Sequence, residues 1–509
     1  MAKSNRLLYF LALIKIIIPY LLQHPFYEPH RDELLYLAEG RHLALGFMEV
    51  PPMLSLFSWF TNLFGGSMFW VKLWPSLFGA ATFIVSGKIV QSLGGKKFAI
   101  LLLFLPFLFG AYLRMFFLFQ PNAPEIFFWT MMAFSIIRFT QTSNPKWLYL
   151  FGVSVALGML SKYSVAFYTA AILLGLLFTQ HRSLFLNKHF WYAALISFII
   201  FLPNLAWQYL HHFPVVFHMR ELRDSQLQYV HPPGFLADQL LYNLPCFFIW
   251  LTGFFYALRS KQYRFIAWGY LFVIALLLLG HGKSYYAMGV YPALFAFGAV
   301  QLEKFTELKR KRLRIVLILF PVITGLFFIP LLLPVLPPPQ LARLYVKLNA
   351  RKTGLLQWED LKDHPLPQDF SDMLGWKEMT QKVAKAYNLL DSSSKKDVFI
   401  FCNNYGMAGA VNHYGSEYHL PEAYSDNASF LYWLPSGKYI RDMILVTDDA
   451  HEEQHDFAKG FVSVAKIDSV TNEYAKEKGD YIYLFKGADN NFREFFRKKI
   501  EKDKLRLKY

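Results

Sequence analysis

Asp32 and Glu33 stand side by side in HRDELLYLAEGRHLALG, residues 30–46, a charged stretch between almost purely apolar flanks. Carboxylates at a membrane boundary are costly unless they are solvated, paired or functional. A solvated loop, or an amphipathic helix lying on the surface, would account for them without chemistry. Apolar residues recur at helical spacing after the acidic pair and are followed by Gly46 and Pro51-Pro52, which predicts a surface helix with Asp32 near its N-terminal end. The helix dipole favours a carboxylate there, and an oriented carboxylate is what a general base requires.

Other groups are suited to join it. Glu125 follows QPNAP at the start of an apolar run; it reads as an acidic partner or as a plain helix-start acid, and Asn122 as a polar contact or an N-cap. Lys283 in HGKSYY is followed by Tyr285 and Tyr286. Such a lysine either snorkels to the headgroups or pairs with a lipid phosphate, with tyrosine hydroxyls as further donors. Lys162, Arg114, Arg220 and Arg223 are weaker cations of the same kind. There is no P-loop, dinucleotide fingerprint or HExxH motif. His211 and His212 are adjacent and cannot share one helix face. No tightly bound metal or other cofactor is expected, and a divalent ion held loosely by Asp32 and Glu125 stays open.

The elements that must position these groups are membrane helices. Of the 509 residues, 55% are hydrophobic and only 17% charged, against about a quarter charged in an average soluble protein. Runs of apolar residues predict about eleven spans, at 7–22, 69–91, 98–113, 124–140, 147–161, 164–180, 190–208, 238–258, 265–281, 285–301 and 314–334. Alternating their direction from an inside N-terminus puts Lys96, Lys97, Lys146, Arg182, Lys188, Arg259, Lys261, Arg264 and KFTELKRKRLR on the inside, the positive-inside pattern. That pattern explains the net charge of +16 without nucleic acid as a partner. It also sends every polar oddity named above to the outer face, including Lys162 and Lys283, which run against the charge trend.

Prolines in PLLLPVLPPPQ prevent the last span from continuing. The chain therefore divides into a membrane domain, 1–337, and a soluble outer domain, 338–509. In the latter, DVFIFCN, MILVTDD, FVSVAKI and DYIYLFKG predict buried strands, and GWKEMTQKVAKAYNLL an amphipathic helix, giving a small α/β domain. Cys246 and Cys402 fall too far apart in this arrangement to predict a disulfide.

Four stretches in order, RDELLYLAEGRHLALGFMEVPPM, FQPNAPEIFFWT, GMLSKYSVAFY and GKSYYAMGVYPALFAFGAV, resemble the membrane glycosyltransferases of the GT-C class. The nearest likeness is to the bacterial branch related to protein O-mannosyltransferases and the aminoarabinose transferase of lipid A. GWKEMTQKVAKAYNLL followed by CNNYGMAGAVNHYG resembles the periplasmic C-terminal domain of many bacterial members. The resemblance implies a GT-C fold and inverting transfer of a sugar from a polyprenyl-phosphate donor to an envelope lipid, glycan or protein. It implies a multi-pass protein of the cytoplasmic (inner) membrane with a periplasmic C-terminal domain.

Residue by residue, it makes Asp32 the catalytic base, with Glu33 beside it, and gives Lys283 a contact to the donor phosphate, with Tyr285, Tyr286, Lys162 and Arg114 around it. Where the family commonly has aspartates this chain has Asn122 and Glu125; Glu125 keeps a carboxylate, whereas Asn122 cannot act as a base and is read with Arg220 and Arg223 as acceptor-binding. The soluble domain is read as an acceptor-binding part or a lid. The competing reading is a flippase for a polyprenyl-linked lipid; against it, the charges gather on one face instead of tracing a path across the midplane, and no inverted repeat is visible.

Overall fold

The computed structural model describes residues 2–307 and 310–506. Part of the basic stretch KFTELKRKRLR, residues 308 and 309, lies outside the described residues, as do residue 1 and residues 507–509 at the ends of the two expected domains.

Every expected span falls on a helix, from Ala2–Leu22 and Met68–Ser92 to Tyr291–Thr306 and Lys311–Leu332. Among the described residues, four helices are long and apolar enough to cross a membrane alone; counting two sharply bent pairs as single spans raises this to six. Eleven full-length crossings are thus not what the helix lengths give. Lys97–Leu108, Lys146–Met159 and Arg264–Leu279 are apolar but short, and at about 1.5 Å per residue a helix of this size covers less than the ~30 Å hydrocarbon core. Inside the bundle, small residues let helices touch. A Cβ on Gly253 would stand 1.9 Å from Leu294 O and one on Gly298 1.8 Å from Ile249 O, so Phe247–Arg259 and Tyr291–Thr306 cross backbone to backbone.

The segment after the first helix carries the helix Arg31–Glu39. His30 is its N-cap: its Nδ1 accepts from Asp32 N at 3.1 Å, while Glu33 Oε2 accepts from His30 N at 2.8 Å. This is a capping box with histidine in the place usually held by serine or threonine. The expected surface helix is in fact covered, since every residue from Glu33 to Glu39 is buried. What covers it is the soluble domain, whose helix Tyr405–Tyr414 packs along it. A second helix in the same segment, Met53–Leu63, is not anticipated by the sequence reading.

The soluble domain is built on one mixed sheet of β1 (Val398–Cys402), β2 (Ala423–Tyr424), β3 (Asp442–Thr447), β4 (Phe461–Ser469) and β5 (Tyr481–Ala488), in the order β2-β1-β3-β5-β4. β2, β1 and β3 run parallel, and β5 and β4 add antiparallel. Side chains alternate between faces with period two. Phe399, Phe401, Met443, Leu445 and Phe485 meet Phe492, Phe496 and Ile500 of the last helix. Ile400, Cys402, Ile444, Val446 and Leu484 join Trp376 and Met407 in a core that also contains Leu34, Leu37 and Phe117. The outer loops of the membrane part and the soluble domain therefore share one hydrophobic core. Cys246 and Cys402 are both buried and free.

Candidate active site

A cavity of about 770 Å³ opens where the membrane helices meet the soluble domain. Asp32 is in its wall because helix Arg31–Glu39 presents its first turn there while the rest of the helix is buried. Both carboxylate oxygens are engaged: Tyr405 Oη donates to Oδ1 at 2.9 Å and Gln120 Nε2 to Oδ2 at 3.0 Å. The side chain remains 33% exposed, so its other lone pairs open into the cavity.

Behind Asp32 lies an ionic row centred on the buried His30. The His30 ring sits 3.8 Å from Asp32 Oδ2, 3.7 Å from Asp369 Oδ1 and 3.9 Å from Asp372 Oδ2. Burial works against protonation of His30, but Asp369, Asp32 and Asp372 outweigh it and raise its pKa above the ordinary value. The Asp369 carboxylate keeps one side open to solvent, and Arg114, 2.6 Å away, and His30 hold it well below the usual range. Arg114 lines the cavity but is committed to this pair.

Lys283 comes from the short loop before Tyr291–Thr306 and lies in the same wall, where its ammonium donates to Gln226 Oε1. Burial lowers its pKa, opposed by Glu359 and Asp32. Tyr285 also lines the cavity. Tyr286 is not in the wall; its ring lies under Lys162, 4.2 Å from Nζ.

Several expected site residues are placed elsewhere. Glu33 is fully buried: Oε1 accepts from Lys72 Nζ at 2.9 Å and from Phe119 N at 2.7 Å, and Oε2 caps the helix. It is a structural anchor and is removed from the reacting groups. Glu125 is also buried outside the cavity wall, held by Lys162 Nζ at 3.0 Å and by Ser164 Oγ. Asn122 does line the cavity, and there Lys162 Nζ donates to its Oδ1 at 2.7 Å. Lys162 is thus satisfied by two protein partners and spaces Asn122 from Glu125. Among the described residues no group of three or more His, Cys, Asp or Glu side chains is arranged to hold a metal. Arg220 and Arg223 are exposed and outside the wall, because helix Pro214–Ser225 turns the opposite face, with His218, Glu221, Leu222 and Ser225, to the cavity.

The sequence reading missed His30, Gln120, Asp369 and Tyr405. His30 three residues before Glu33 carried a capping signal. Tyr405 lies inside CNNYGMAGAVNHYG, which the sequence ties to the C-terminal domain and not to Asp32.

Residues 49–207 match the model of the family described as dolichyl-phosphate-mannose-protein mannosyltransferase. The matched segment contains Arg114, Asn122, Glu125 and Lys162 and excludes Asp32 and Lys283. None of the curated proteins matches the chain. Among solved structures, ArnT from Cupriavidus metallidurans bound to undecaprenyl phosphate superposes with a TM-score of 0.60 at 12% identity, covering 94% of this chain and 97% of that one. The apo state of the same protein gives 0.59 at 12% identity, covering 95% and 98%. The chain therefore has the ArnT-like GT-C fold, a multi-pass bundle of apolar helices with a small C-terminal sheet domain. The likeness to GT-C transferases related to protein O-mannosyltransferases and the aminoarabinose transferase is borne out by both comparisons.

Proposed function

We propose that this protein is an integral-membrane glycosyltransferase that moves a sugar from a polyprenyl-phosphate donor to an acceptor on the outer face of the cytoplasmic membrane, its sheet domain lying in the periplasm. The observation that carries the reading is one cavity at the junction of the two parts, with Asp32 and Lys283 in the same wall. The fold shared with a protein crystallised with undecaprenyl phosphate supports the donor class. A lipid-borne sugar suits this location, since its tail would lie among the apolar helices while the phosphate and sugar reach the cavity.

Asp32 accepts the proton of the attacking acceptor hydroxyl. The hydroxyl oxygen forms the new bond to the anomeric carbon as the bond to the phosphate oxygen breaks, a single displacement that inverts the anomeric centre. Lys283 meets the negative charge that grows on the leaving phosphate, and Tyr285 lines the same wall. Asn122, held by Lys162, contacts the acceptor; Glu125 acts only through Lys162. No cofactor enters this scheme. The acceptor is an envelope lipid, glycan or protein. The flippase alternative gains no support from the fold.

The reading is tested with purified protein in nanodiscs, a panel of radiolabelled polyprenyl-phosphate sugars, and membrane extract as acceptor. Wild type transfers label from one donor, and Asp32→Asn does not. Equal transfer by the variant would remove Asp32 as the base, and no transfer by folded wild type from any donor would remove the enzyme class.

A further inference from the structure

Tyr405 opens the helix Tyr405–Tyr414 of the soluble domain, yet its hydroxyl reaches Asp32 Oδ1 at 2.9 Å. Arg31 Nε lies 3.0 Å from the same hydroxyl oxygen. Arginine can only donate, so the phenol oxygen accepts from Arg31 and its proton points at the carboxylate. The Arg31 guanidinium also packs over the Tyr405 ring, 4.9 Å from its centroid.

The placement is built by the backbone. Asn404 caps the helix, accepting from Met407 N at 3.0 Å, and so fixes Tyr405 as its first residue. Two glycines then bring the helix against Arg31–Glu39: a Cβ on Gly406 would stand 2.4 Å from Arg31 Cγ, and one on Gly409 3.0 Å from Leu34 O. Side chains at those two positions would lift Tyr405 away from Asp32.

We propose that Tyr405 is a positioning residue for the Asp32 carboxylate, and that the soluble domain is thereby a working part of the membrane site. This rests on the reading of Asp32 as the base. With Oδ1 held by Tyr405 and Oδ2 by Gln120, the plane of the carboxylate is fixed and its remaining lone pairs are the ones that open to the cavity. The contact therefore sets the aim of the base.

The test is Tyr405→Phe in the full chain, a change that keeps the ring and removes only the hydroxyl. The variant is expected to lose kcat by roughly ten- to a hundredfold and to leave KM for the donor unchanged. Unchanged kcat, or a loss confined to KM, overturns the proposal. A second readout needs no turnover: a double-mutant cycle of Tyr405→Phe and Asp32→Ala, read on the midpoint of thermal unfolding, is expected to be non-additive. Additivity rejects the contact even if the enzyme reading stands. Conversely, inactive wild type with a non-additive cycle defeats the enzyme reading and keeps the contact.

Discussion

Glu33 Oε1 and Lys72 Nζ lie 2.9 Å apart, with side chains 0% and 1% exposed, and tie the first outer helix to the long helix Met68–Ser92. Glu33 also accepts two backbone N–H groups, so every role it plays is one of holding. Breaking a buried pair from one side leaves an uncompensated charge and costs about 3–5 kcal/mol. Lys72→Met should therefore lower the thermal unfolding midpoint sharply, and Glu33→Gln with Lys72→Met together should recover part of the loss. Folded double variant should keep transfer above a tenth of wild type; a loss as deep as that of Asp32→Asn would return Glu33 to the catalytic groups.

Lys283 is the cation in the cavity wall whose contact is a neutral amide, Gln226, whereas Arg114 is paired with Asp369 and Lys162 with Glu125. With no carboxylate bonded to its ammonium, Lys283 is placed to meet a phosphate. Lys283→Met should lower kcat/KM by roughly 10²–10³, and Lys283→Arg should restore part of it by keeping the charge. Arg114→Lys, measured alongside, should act chiefly on stability; if instead it alone raised the donor KM, the phosphate role would move to Arg114.

Much of this was legible from hydropathy. The apolar runs gave the helices, the alternating runs gave four of the five strands, and the acidic pair at a helix start gave Asp32. The division of labour within the pair was available too, because adjacent helical residues do not face the same way: Asp32 turns to the cavity and Glu33 inward to Lys72. Tyr405 was not legible, since its approach to Asp32 depends on two glycines closing a contact across 373 residues. Nor was the placement of Arg220 and Arg223 outside the cavity wall, which depends on which face of their helix docks. Periodicity states that a helix has faces but not which one meets the cavity.

That docking makes a cheap prediction. Arg220→Ala with Arg223→Ala removes two exposed charges outside the cavity wall, and transfer should stay within about twofold of wild type, as surface changes usually do. Gln226→Ala, at the end of the same helix, removes the partner of Lys283 and should change the donor KM. Kinetics on the two variants side by side check it, and a donor or acceptor KM altered by the arginine pair alone would mean that the helix docks by its other face.

Glu477 adds a contribution of definite sign to the pH dependence of the soluble domain. Burial, with Asp372 nearby, pushes its carboxyl up to about 8 from an ordinary 4.5, and its Oε2 has no hydrogen-bond partner. In the unfolded chain the group ionises near its ordinary value, so between pH 4.5 and about 8 the unfolded state binds fewer protons and stability falls as pH rises. Glu477→Gln removes that slope. The variant should melt like wild type near pH 4.5, gain on it steadily up to about pH 8 by on the order of 5 kcal/mol, and run parallel beyond. Unfolding midpoints across this range decide it: a constant offset would mean that Glu477 is ionised in the folded protein.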